Sequence, residues 1–447
     1  MSTSRRAGRA ATAGATALLL SLVAAACTGQ SLPAADDDPH ADVTLTFWHG
    51  WSDPKEIKAI DDNIAAFERQ HPNIHVKSVA NITDDKINQA LRAGGPNAPD
   101  VVSSFTTDNV GKFCSSGAFT DLGPFLKKSG IDPAKTFPGP MREYTRFRGV
   151  RCALPLLGDA YALYYNKDAF KAAGIDAPPK TWSEFDADAV KLTRRTGDSY
   201  ERLGFMPNFH AYETTITHYA AQWSPTYFDG HGKSTVGKDS AFRRVLTWQK
   251  HLAERLGGFR KLERARTSYG DEFGAKNPFH TGQVAMALDG EWRLGMALDS
   301  RPGFEIGVAP LPVPDDQAGT YGKGYMTGTV TGIAATSAKK NAAWELVRFL
   351  TTDTDAVVDF ANAIHNVPST FAALSSPRLK TDPRFRTFLD IAKNPHSNTT
   401  PASVNGGTYQ VTLQDLSYRY EEGREPDLDA ALRATAEQID RDIVQAH

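Results

Sequence analysis

The chain has 447 residues, with 50 Lys and Arg against 52 Asp and Glu, and 10% of its residues are aromatic. That length exceeds what one ordinary core fills and predicts two or more domains. A formal net charge of −2 argues against a nucleic-acid partner, which would favour a basic face.

The first residues bear on the compartment. Arg5, Arg6 and Arg9 make a basic start, and Ala10 to Ala26 form an apolar stretch rich in Ala and Leu. This stretch is short for a transmembrane helix and suits a signal peptide. It ends in Val23-Ala24-Ala25-Ala26-Cys27, which resembles a bacterial lipobox, so residues 1–27 are read as an export signal with Cys27 as the lipidated residue. Residues 28–41 are small, acidic and Pro-containing, as a solvated tether should be. The expectation is a protein outside the cytoplasm, held to the outer face of the cell membrane by lipid at Cys27. Besides Cys27 only Cys114 and Cys152 remain. In an exported chain such a pair is more often a disulfide than a metal site, with two buried thiols as the alternative.

Taken in order, the mature chain alternates strands and helices. Val43 to Trp48 is strand-prone; Asp53-Pro54-Lys55-Glu56 then supplies an N-cap, a Pro at the first helical position and an early acid. Ile57, Ile60, Ile64 and Phe67 fall on one face of that helix, and Pro72 stops it. A second strand is expected over Ile74–Val79, a helix from Thr83 to Gly94-Gly95, and a third strand over Asp100–Phe105. After Leu154-Pro155 the pattern restarts with a strand over Ala160–Tyr165 and a capping box at Thr181-Trp182-Ser183-Glu184. Later helices are expected over Ser240–Leu256, Ser337–Leu350 and Asp427–Val444. This alternation predicts a parallel α/β sheet covered on both faces.

Several segments then resemble one family. Pro99-Asp100-Val101-Val102 with Ser116-Gly117-Ala118-Phe119, Leu163-Tyr164-Tyr165-Asn166-Lys167-Asp168, and Lys180-Thr181-Trp182-Ser183-Glu184-Phe185 are similar to blocks of the family 1 extracellular solute-binding proteins of carbohydrate ABC transporters. Gly282-Gln283-Val284-Ala285-Met286 with Gly290-Glu291-Trp292, and Trp344 to Leu350, follow in the same order. The maltose-binding branch is the nearest in pattern. The resemblance implies a two-lobe α/β fold of the periplasmic-binding-protein type (type II), with a helical C-terminal part and the solute held between the lobes. The expected division is 42–155 plus 305–350 for lobe 1 and 156–304 plus 351–447 for lobe 2. Hinge segments are expected near Leu154–Asp159, near Pro310–Pro314 and after Leu350. The implied partners are a sugar and the ABC permease that receives it, for a monomer with no cofactor and no catalysis.

Strand ends in open α/β sheets face a common crevice, so residues just after strands are the first site candidates. The resemblance places solute contacts at His49, Trp51, Phe105, Asp108, Asp159 and Trp292, with His210, Tyr212, Trp223, Tyr409 and Gln410 as further positions. Tyr325 is added from the Gly322-Lys323-Gly324 approach, which fits no phosphate-loop pattern. Aromatic rings that stack on the C–H faces of a sugar, beside carboxylates that accept from its hydroxyls, make a sugar-type lining. Trp48, Trp182, Trp248 and Trp344 are read as core. His71 and His75 lack further ligands at metal spacing. A polyol or glycerol phosphodiester is the alternative solute. A secreted glycoside hydrolase is the competing class, but no GxSxG, HExxH or strand-end carboxylate pair stands out.

Overall fold

The computed structural model describes residues 41–446 apart from 96, 97, 198, 212, 213 and 381, so the expectations for the export signal, for Cys27, for the tether up to residue 40 and for Tyr212 lie outside the described residues. Among the described residues, ten strands run in chain order as β1 (Val43–Trp48), β2 (Ile74–Val79), β3 (Val101–Ser104), β4 (Leu154–Asn166) and β5 (Arg194–Thr196), then β6 (Ser199–Phe205), β7 (Val284–Gly290), β8 (Ile306–Ala309), β9 (Met326–Ile333) and β10 (Val367–Pro368). No described helix is long and apolar enough to cross a membrane.

The local signals act as the sequence suggests. The helix Pro54–Gln70 starts on Asp53, whose carboxylate accepts from the Lys55 N–H, and buries Ala59, Ile60, Ile64 and Phe67. Each large apolar side chain removed from water there contributes about 1.5–3 kcal/mol. The helix Trp182–Leu192 carries the complete capping box of Thr181 and Glu184. Asp427 caps the final helix, Leu428–Gln445.

Strand order departs from the all-parallel expectation. β1 pairs parallel with β2 and β3, and β6 with β7, but β9 runs antiparallel to β3 and to β4. The reason is the path of the chain. A segment that returns from a second lobe enters the first sheet from the opposite end, so its strand is reversed. The connected order is β2-β1-β3-β9-β4-β7-β6-β5, with β8 and β10 also on β4. β4 is the long element of this path. Its residues Leu154–Ala160 pair with β9, and Tyr161–Tyr165 pair with β7.

The buried apolar residues fall into two principal cores. One gathers Phe47, Ile60, Val101, Leu154, Val330 and Phe349; the other gathers Leu163, Phe185, Phe205, Trp248, Met286 and Leu413. They are the interiors of two lobes. The division expected for the C-terminal part needs correction. Residues 351–447 do not all join the second lobe: Ala356, Phe360, Val367, Leu374, Phe388 and Ile391 sit in the first core, and buried apolar residues of the second core resume at Tyr409. The helix Thr354–Ile364 lies against Pro54–Gln70, where Asn63 donates to the Ala356 carbonyl at 3.1 Å.

Cys114 and Cys152 form the expected disulfide, 38 residues apart. It ties the helix Asn109–Ser115 to the approach to β4. On the chain-entropy model a loop of that length stabilises by about 3–4 kcal/mol. The double variant Cys114→Ser/Cys152→Ser should therefore unfold at a clearly lower urea concentration than the native protein. An unchanged midpoint with an unchanged slope would count against this role.

Candidate functional site

Two loops and the β4 crossover carry the strand-end candidates. The first follows β1. His49 is fully buried and its Nε2 lies 3.1 Å from the Ser78 hydroxyl, while burial lowers its pKa to about 4. Trp51 is only 4% exposed, with its ring edge-on to Phe105 at 5.3 Å and to Phe360 at 5.1 Å. Phe105, at the exit of β3, is 48% exposed. Phe105 is therefore the presented ring and Trp51 its backing. A side chain at Gly50 would strike the Phe105 ring at 2.5 Å, so the absence of a Cβ there is what lets the ring lie down.

The second loop continues from β3. Asp84 accepts from Ser104 Oγ at 2.7 Å and from Thr106 Oγ1 at 2.5 Å, which fixes the backbone beneath Phe105. Asp108 accepts from Gln410 Nε2 at 2.6 Å. Burial raises its pKa to about 6 against the pull of that bond. Asp108 and Gln410 thus join, but as each other's partners. Their bond runs from the first lobe to the helix Thr408–Glu421, whose Tyr409 and Leu413 lie in the second core.

The third element is the crossover itself. Asp159 and Thr327 are opposite each other on β4 and β9, and Tyr161 is opposite Gly290 at the end of β7. Asn366, just past the helix Thr354–Ile364 that holds Phe360, donates to Asp159 Oδ1 at 2.9 Å and to Glu291 Oε1 at 2.5 Å. The Ala160 N–H donates to Glu291 Oε2 at 2.9 Å. Burial holds both carboxyls above the usual range, Glu291 furthest, because the Asp159 charge adds to it. Next to Glu291, the Trp292 ring stands edge-on to Tyr161 at 5.6 Å and remains partly exposed. Its ring lies where a Cβ on Gly290 would be, 2.2 Å away. Tyr161 also contacts His218 at 4.4 Å and Tyr325 at 5.5 Å, so an aromatic group borders Trp292.

Other expected contacts are structural in this arrangement. Trp223 is 6% exposed and lies parallel to Trp182 at 5.1 Å, within the second core. Its described contacts are with that core. Tyr409 is buried and donates to the Pro401 carbonyl at 2.8 Å; Tyr325 is buried and shares a hydrogen bond with Thr400 at 3.0 Å. His210 stacks on Tyr418 at 4.3 Å with its Nε2 2.8 Å from Glu421. His49 and Trp51 support the surface rather than form it. Glu291, Asn366, Tyr161 and His218 are the residues that sequence reasoning missed as site members. Glu291 lay inside a quoted block, whereas Asn366 carried no local signal.

Two cavities frame these positions. A groove of about 990 Å³, bounded by residues around Arg146, Phe228 and Pro401, contains none of the expected contacts. A smaller one of about 240 Å³ holds His210 beside Asn208 and Arg293. The larger cavity and the strand-end candidates therefore do not coincide.

Comparison with known proteins places the chain. Residues 51–357 match the family described as bacterial extracellular solute-binding protein. A binding protein of Brucella abortus (strain 2308) is 31% identical over 45% of this chain and 47% of its own length, so the match spans about half of that relative. The maltotriose-binding protein of Pyrococcus abyssi is 23% identical over 88% of this chain and 81% of its own. In structure, the sugar-binding protein MalE of Xanthomonas citri superposes with a TM-score of 0.74 at 24% identity, over 90% of this chain and 98% of that one. The two-lobe α/β fold is thereby shared.

The tryptophans give a direct check on this map. Trp223→Ala should cost about 3–5 kcal/mol of stability, as removal of a buried ring does. Trp292→Ala should cost markedly less in the same solute-free unfolding measurement. Equal losses would make Trp292 a core residue and remove it from the site.

Proposed function

Because this chain belongs to the family of bacterial extracellular solute-binding proteins, we propose that it is the substrate-binding component of an ABC importer that captures a neutral sugar or oligosaccharide between its lobes. The observation that carries this reading is the crossover acceptor beside an aromatic ring. Asp159 is fixed by Asn366, and Trp292 follows Glu291 directly. A carboxylate held in place accepts strongly from a hydroxyl, and an indole face covers the C–H face of a pyranose. Phe105 supplies a second exposed ring from the first lobe.

The charge at the crossover favours a neutral solute over a phosphorylated one. Among the described residues, no Lys, Arg or His is ion-paired to Asp159 or Glu291. A phosphate would favour Arg, Lys or a helix N-terminus at that place. A buried carboxylate repels it instead. The maltotriose named for the Pyrococcus abyssi relative is the type of solute this lining suits.

On this reading the protein is non-catalytic, and it delivers the sugar unchanged to a membrane permease. It stands outside the cytoplasm, tethered through lipid at Cys27, so that Cys27→Ser should shift it from the membrane fraction to the medium. Titration calorimetry with maltotriose, a mannooligosaccharide and glycerol 3-phosphate tests the solute class. Saturable heat is expected with a neutral oligosaccharide, which is then recovered intact, and none with the phosphate. Trp292→Ala should weaken that binding by roughly ten- to a hundredfold, the equivalent of about 1.5–3 kcal/mol. Binding of glycerol 3-phosphate alone would refute the sugar reading, and cleaved oligosaccharide would identify an enzyme.

A further inference from the structure

Burial ought to leave no pair of acids at the crossover, yet two are there. Asp159 comes from β4 and Glu291 from the exit of β7, and Asn366 from a third segment touches both. A single amide nitrogen carries two hydrogens, and here each carboxyl takes one, at 2.9 Å and 2.5 Å. Thr327 Oγ1 reaches Asp159 Oδ2 at 3.4 Å, and the Ala160 N–H reaches Glu291 Oε2 at 2.9 Å.

Among the described residues, the ionisable groups around the pair offer no counter-charge. Tyr144, from the helix Gly139–Tyr144, is buried and lies in the field of both acids. Tyr164 on β4 gives its hydroxyl hydrogen to the Gly290 carbonyl at 2.7 Å. Arg293, two residues beyond Glu291, is turned to Asp289 at 2.6 Å and forms an ion pair there. Two like charges so placed in a low-dielectric interior cannot both ionise, because each raises the cost of the other. The shared amide makes the acids a unit: it holds them together and favours the ionised form of each, while burial and like charge oppose ionisation of both at once.

We propose that Asn366 is a positioning residue that binds Asp159 and Glu291 into a one-proton pair, with the proton on Glu291 and Asp159 presented as a fixed anionic acceptor. The acceptor's part in solute recognition rests on the sugar reading above; the one-proton pair does not. Glu291 is the holder because burial raises it furthest and the Asp159 charge reinforces that. Asp159 receives opposing bonds from Asn366, Thr327 and Glu291.

The sign of the pH dependence follows. An acid whose folded pKa lies above its unfolded value stabilises the fold fully below the unfolded pKa and loses that contribution as pH rises towards the folded value. For Glu291 the window opens near the ordinary carboxyl value of 4.5 and extends upward from there.

The test uses the solute-free full-length protein. Infrared spectra at pH 7 should contain a protonated-carboxyl C=O band that Glu291→Gln removes. Between pH 5 and 7 the unfolding constant of the native protein should rise relative to Glu291→Gln by about tenfold per pH unit, the slope of one proton. Asn366→Asp has nearly the same shape but puts a third acid in place of the amide. It should be strongly destabilised at pH 7 and largely rescued at pH 5, where Asn366→Ala is not. A band that survives in Glu291→Gln, or parallel pH profiles, would overturn the one-proton pair. If Glu291→Gln does not fold, Asn366→Asp decides, and equal stability at both pH values overturns the proposal. Loss of sugar binding with the band and profiles intact would overturn the sugar reading alone.

Discussion

The structure depends on one strand serving two cores. β4 leaves the first lobe with Leu154–Ala160 paired to β9 and enters the second with Tyr161–Tyr165 paired to β7. Side chains alternate along a strand, so a single residue step turns the chain from one environment to the other. Ala160, Ala162 and Tyr164 pack in the first core, whereas Tyr161 and Leu163 pack in the second. The backbone cannot bend sharply there without breaking ladder bonds on both sides. Its polar side chain at the turning point, Asp159, must therefore be satisfied in place. Asn366 and Thr327 do this from two other segments. The same constraint that joins the lobes thus leaves a held acceptor at their junction.

The rings around it follow the same logic from different distances. Phe105 is exposed because Trp51 and Phe360 fill the space behind it. Trp292 is held by Tyr161 and by the room over Gly290. A solute that touches both would gain from each lobe, and only such a solute stabilises a closed arrangement over an open one. The Asp108–Gln410 bond at 2.6 Å crosses from the first lobe to the second.

Much of the fold was legible because it is written locally. Asp53-Pro54 opened the first helix, Thr181 and Glu184 closed a capping box, and Cys114 and Cys152 paired. What was not legible depends on contacts between distant segments. Nothing near Trp223 says that it will lie flat on Trp182, 41 positions earlier in the chain. Nothing around residue 356 says which lobe the next helix joins, since an amphipathic face fits either core. Asn366 sits in an unremarkable stretch and matters only because β4 and β7 bring two acids to it. Candidates were legible by type, aromatic and acidic at strand ends, but type does not distinguish a ring that is presented from one that is needed for packing. Tyr409 and Trp223 are of that kind.

The central claim is that solute is gripped from both lobes and draws them together. Small-angle X-ray scattering of the protein before and after saturation with a neutral oligosaccharide that binds it measures this directly. The account predicts a smaller radius of gyration at saturation, with the change reduced in Trp292→Ala at equal solute. Superimposable profiles for free and saturated protein would contradict it.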